Sequence, residues 1–130
     1  MSARFQLVCS PSALAGAPAG WAGEMLRDGE VALLASEGLD QINAVAQALG
    51  QTTIAVLRSE RTRALQDLTV MDYADALPLV WVGEGFSEEV ASWAHDRGPM
   101  TLLVEASGPL PDEERRRIDR FVASLGRQSE

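Results

Sequence analysis

Chemistry in this chain is concentrated in small, hydroxyl and acidic residues rather than in histidine or cysteine. Ser10, Ser36-Glu37-Gly38 and Gly83-Glu84-Gly85-Phe86-Ser87 each follow a short apolar run. Glycine lets backbone N–H groups approach a phosphate closely, serine adds a hydroxyl donor, and a following helix N-terminus adds unpaired N–H groups with a favourable dipole. Ser10, Ser36, Gly38, Gly83, Gly85 and Ser87 are therefore the candidates for a phosphate-bearing ligand. None of the loops matches a Walker loop or a full Gly-x-Gly-x-x-Gly fingerprint. Glu37 and Glu84 oppose phosphate unless they turn outward or take ribose hydroxyls.

Catalytic chemistry has a thinner basis. His95, the single histidine, falls near a helix end where a surface or capping role suits it, and Cys9 reads as a small buried residue of a strand. One Cys and one His cannot furnish a zinc ligand set. Glu84, Glu88 and Glu89 could supply a carboxylate for nucleoside chemistry, but helix N-termini also attract acidic residues. The expectation is a site without catalytic residues, metal or cofactor.

The elements that must position these loops follow from periodicity. In 36–58, Leu39, Ile42, Val45, Ala46 and Leu49 recur at helical spacing, with Leu39, Ile42, Val45 and Leu49 expected in the core; Gly50 stops the helix, and 54–57 is an unbroken apolar run of the kind a strand buried on both faces shows. With 31–35 before it this is a strand–helix–strand crossover. Strands are expected at 4–9, 31–35, 54–57, 79–82 and 100–104. A turn-rich loop spans 10–20, and Trp21 and Met25 anchor a short helix ended by Asp28-Gly29. Ser59 is the expected cap of a helix through Leu68 with Leu65 and Leu68 inward, and 69–77 has no clear pattern. Val90, Trp93 and Ala94 form the stripe of a helix capped by Ser87. Ile118, Phe121, Val122 and Leu125 form that of a last helix ended by Gly126. Five strands alternating with about five helices predict an α/β fold, a three-layer, doubly wound, mainly parallel five-stranded sheet, in one domain over 1–130.

Composition bounds the partners. The 130 residues carry a formal charge of −8 and no lysine, so every fixed side-chain cation is arginine. That charge argues against a protein that simply coats nucleic acid, which needs clustered cations. Arg115, Arg116, Arg117 and Arg120 follow Asp112, Glu113 and Glu114, the order a helix dipole favours on a solvated helix. No apolar run approaches the roughly 18 residues of a membrane span, and the N-terminus lacks signal-peptide features. One cysteine fits a cytoplasmic location.

Gly38-Leu39-Asp40, the small-residue helix after it, and Gly50-Gln51-Thr52-Thr53-Ile54-Ala55-Val56-Leu57 resemble the Gly-Ile-Asp, Ala-rich helix and Gly-Gly-Arg-Thr-Ile-Ala-Val-Leu passage of DNA-processing protein A. That family binds single-stranded DNA and loads recombinase. It belongs to a Rossmann-like superfamily with the Lonely Guy phosphoribohydrolases. The likeness covers roughly 31–104. It implies a Rossmann-like fold, a nucleotide or single-stranded nucleic acid as partner, and Asp40 and Arg58 as further ligand-binding residues beside Ser10, Ser36, Gly38, Gly83, Glu84, Gly85 and Ser87. Cys9-Ser10-Pro11 replaces the family's Gly-Ser-Arg, Glu37 stands where it has Arg, and its Phe-Pro-x-Arg-Asn-Arg segment has no counterpart between Leu68 and Leu79. Val90 stands where the phosphoribohydrolases have their catalytic Glu. The expectation is a non-catalytic nucleotide- or nucleic-acid-binding module related to recombination mediators, with DNA binding weak and salt-dependent. The alternatives are a nucleoside-monophosphate hydrolase of the phosphoribohydrolase type and a degenerate interaction domain, including a homodimer.

Overall fold

A computed structural model describes residues 5–14, 19–35, 38–48, 50, 54–75 and 77–128. The elements run β1 (Gln6–Cys9), α1 (Pro11–Leu14), α2 (Ala19–Asp28), β2 (Glu30–Leu34), α3 (Leu39–Ala48), β3 (Ala55–Leu57), α4 (Arg63–Ala74), β4 (Leu79–Gly83), α5 (Glu88–Asp96), β5 (Thr101–Glu105) and α6 (Asp112–Gln128). All five strands pair in parallel in the order β3-β2-β1-β4-β5, which is the Rossmann-like order of a doubly wound sheet.

Two apolar clusters cover the sheet. Phe5, Leu7 and Cys9 of the first strand's neighbourhood point to the layer holding Trp21, Ile42, Val45 and Ile118, so α2, α3 and α6 share one face with α1. Val8, Ala32, Leu79 and Trp81 point the other way, onto Val70 and Ala74 of α4 and Val90 of α5. Burial on both sides explains the unbroken apolar runs of the central strands. Side-chain bonds tie elements within each layer. Trp21 Nε1 donates to Asp119 Oδ1 at 2.7 Å, linking α2 to α6, and the Arg97 guanidinium at the end of α5 donates to the carbonyls of Asp75 and Leu77.

Several expectations are corrected. The loop expected over 10–20 holds α1 and the start of α2. β3 lies at the edge of the sheet with Val56 43% exposed, so the apolar run of 54–57 is not buried on both faces as expected. Leu39, expected in the core, is 70% exposed because it opens α3 and precedes the turn that reaches the sheet. The helix expected from Ser59 to Leu68 is displaced: Thr62 is the cap, its hydroxyl accepting from Leu65 N–H at 3.2 Å, and α4 runs on through the stretch without a clear pattern. Leu65 and Leu68 face outward and Val70 and Ala74 face inward. Gly126 does not stop α6, which continues to Gln128. Trp93, Phe121 and Val122 are half-buried against the core rather than inside it. Leu49 lies outside the described residues.

Gly29 is required sterically. A Cβ there would sit 2.6 Å from the ring of Phe5, which is fully buried and has nowhere to turn. Gly29→Ala is expected to cost about 1–3 kcal/mol by overpacking, read as a lowered midpoint in urea titration. Trp81→Ala should cost about 3–5 kcal/mol in the same titration, and Trp93→Ala less, because only Trp81 is enclosed.

Candidate functional site

The chain leaves adjacent strands in opposite directions. After β1 it enters the layer of α1 and α2, and after β4 it enters that of α5, so the backbone parts between the carboxyl ends of β1 and β4. Such a topological switch point is where doubly wound sheets form ligand crevices. Here it is a cleft of about 410 Å³, bounded by Ser10 after β1, Gly83-Glu84-Gly85 after β4, and Arg63, Gln66 and Asp67 of α4, with Trp81 and Phe86 beneath.

Local structure explains each wall. β4 ends in Gly83, whose carbonyl accepts the Ala106 N–H at 2.9 Å, so the loop after it starts from a fixed point. Trp81 is 4% exposed and meets Phe86 edge to face at 5.3 Å and Trp93 at 6.4 Å, anchoring the loop to α5. Arg63 is the first residue of α4, and its Nη2 donates to the Gly85 carbonyl across the cleft. A Cβ on Gly85 would stand 3.8 Å from that nitrogen, an ordinary contact, so larger side chains there would extend into the opening.

Asp67 is the electrostatically unusual group. Burial pushes its carboxyl above the ordinary carboxylate value and the nearby Glu89 charge adds to this, while the Arg63 guanidinium pulls the other way. The cleft thus combines one guanidinium, the backbone amides of a glycine-bearing loop, a hydroxyl from Ser10, a carboxylate from Glu84 and a carboxyl that holds its proton more readily than usual. That set offers partners for an anion and for hydroxyl groups together.

Of the residues expected at the site, the cleft brings together Ser10, Gly83, Glu84 and Gly85. Ser87 lines the adjacent groove instead, and its hydroxyl caps α5 by accepting from Val90 N–H at 3.2 Å. Gly38, with φ +95°, and Asp40 lie exposed at the start of α3 and do not line this cleft. Arg58 does not line it either. Its Nε donates to Glu60 Oε1 at 2.5 Å, and that same oxygen accepts from the Thr69 hydroxyl at 3.0 Å, which together hold the Glu60 carboxyl below its ordinary range. Gln66 completes this clasp, donating to the Arg58 carbonyl and accepting from Glu60 N–H, both at 3.2 Å. Ser36 and Glu37 lie outside the described residues. Cys9 is fully buried and His95 is exposed on α5.

Sequence reasoning missed Arg63, Gln66 and Asp67. Thr62 followed by an arginine at the first helical position was the available signal, concealed by starting the helix at Ser59. Among the described residues no helix is long and apolar enough to cross a membrane. Comparison with protein-family models, with curated proteins and with solved structures finds no match.

Because its ionised form is disfavoured in the folded state, Asp67 costs stability as pH rises from the ordinary value of 3.8 through its raised value. Asp67→Asn is therefore expected to raise the urea midpoint at about pH 7, with the gain shrinking as pH falls toward about 4. A variant that is no more stable at neutral pH would show that Arg63 compensates the buried charge in full.

Proposed function

We propose that this chain binds a phosphate-bearing nucleotide, free or at the end of a single strand, in the cleft between β1 and β4, as a non-catalytic module. The observation that carries the reading is the placement of Arg63 opposite Gly83-Glu84-Gly85 at the switch point of the sheet. Arg63 and the loop amides meet phosphate oxygens, Ser10 adds a hydroxyl, and Glu84 takes ribose hydroxyls. The half-buried ring of Phe86 offers the base an apolar surface. The likeness of 38–57 to DNA-processing protein A supports a role beside recombination mediators in the cytoplasm. With a charge of −8, contact with a strand is confined to few phosphates, so affinity for single-stranded DNA is weak and falls steeply with salt.

The test is thermal stabilisation across mono-, di- and cyclic nucleotides. A ligand at a hundred times its Kd adds about 2.7 kcal/mol to stability. Arg63→Gln is expected to remove most of that gain, and Gly85→Leu to abolish it by filling the cleft, with the ligand-free fold intact. No shift for any nucleotide at millimolar concentration would refute the reading.

A second reading has one specific observation in its favour. Asp67 stands on the cleft wall with its carboxyl raised above the ordinary carboxylate value by burial, the direction a general acid needs, so hydrolysis of a nucleoside monophosphate is the alternative. Release of free base, lost in Asp67→Asn, would establish it over the binding module.

A further inference from the structure

On the far side of Arg63 and Asp67 from the cleft, α4 and α5 enclose a second depression of about 550 Å³. Its floor is apolar, formed by Ala64, Leu68 and Met71 of α4 and Val90 of α5. Leu68 is 52% exposed and its neighbour Leu65 45%, which makes the outer side of α4 a site of uncovered large apolar surface. The rim is acidic, with Asp67 on one helix and Glu88 and Glu89 on the other. The cation in this lining, Arg63, donates to the Gly85 carbonyl. The rim therefore presents three carboxylates around a hydrophobic strip, on a chain that is itself strongly acidic.

We propose that this groove docks a basic amphipathic helix of a partner protein. The apolar floor between two helices is the shape that receives a third helix through leucine-type side chains spaced three and four apart. From Ala64 to Met71 the floor spans about 10 Å, or about two helical turns, enough for two or three such anchors. Lysines or arginines flanking the partner's stripe meet Asp67, Glu88 and Glu89, and that complementarity decides the class of partner. The same carboxylates repel nucleic acid and anionic lipid. A second copy of this chain does not supply the helix. Its basic helix, α6, already buries its apolar stripe at Ile118 and Leu125, and Arg115 and Arg117 pair with Asp112 and Glu114 on the same helix. Arg63 and Asp67 line both the groove and the β1/β4 cleft, but Leu68, Glu88 and Glu89 line only the groove, so variants at these three test the docking proposal separately from the cleft.

The experiment is fluorescence anisotropy with a labelled leucine–lysine amphipathic helix of roughly 18 residues. Its control is a peptide of the same composition in an order that abolishes the apolar stripe. The amphipathic helix should bind at least about tenfold more tightly than the control. Leu68→Gln should weaken it at least about fivefold, since a central apolar anchor is lost. Glu88→Gln combined with Glu89→Gln should weaken it and flatten its salt dependence. Leu68 is exposed, so its replacement leaves the fold intact, as an unchanged circular dichroism spectrum and urea midpoint would verify. Equal binding of the two peptides, no effect of Leu68→Gln, or no binding at roughly 100 µM peptide would each overturn the proposal.

Discussion

Because β1 pairs with both β2 and β4, the chain must leave β1 on one face of the sheet and β4 on the other. Both the cleft and the residues around it depend on that parting. It requires that successive residues of β1 serve different layers, and they do: Leu7 and Cys9 enter one cluster and Val8 the other. It also requires α4 to cross from the β3 edge to the β4 side, which is what carries Arg63 to Gly85, 22 positions further along the chain.

Several of the charges are handled locally. Arg115 and Arg117 neutralise carboxylates three residues earlier on α6, and Arg58 is engaged by Glu60. Arg97 instead satisfies the carbonyls at the end of α4 while its guanidinium lies 4.6 Å from the centre of the Trp93 ring. With the arginines so employed, Arg63 is the cation that reaches the cleft wall, and its neighbour Asp67 shares both the cleft and the groove. Two surfaces of opposite charge character thus meet at one turn of α4. On one side the guanidinium and loop amides suit an anion, and on the other the carboxylates suit a cation.

On the β4 side of the molecule, aromatic packing holds the loop against the sheet and α5. Trp81 stands in a central strand with Phe86 and Trp93 edge-on to it, so a loop rich in glycine is held by a ring rather than by its own backbone preferences. The backbone adds two further ties, the Gly83 carbonyl accepting from Ala106 N–H and the Gly85 carbonyl accepting from Arg63.

By itself the sequence determined the layer architecture. The apolar runs around Leu7, Leu33, Val80 and Val104, and the stripes through Ile42, Val45, Val90 and Ile118, are local signals, because strand and helix periods repeat within a few residues. The same locality located Ser10 and Gly83-Glu84-Gly85 at strand ends, and these do meet in one cleft. Tertiary structure decided the rest. Leu65 and Leu68 read as inward because their spacing is helical, but which side of α4 meets the sheet depends on where Val70 and Ala74 find Val8, Leu79 and Trp81. Leu39 belongs to the stripe yet is exposed, and the 54–57 run reads as buried on both faces yet closes an edge of the sheet with Val56 exposed. Arg63 and Asp67 became site residues, and Ser87 a cap, through contacts between segments far apart in the chain. Spacing along a helix shows which residues share a face, but only packing against distant strands decides what that face meets.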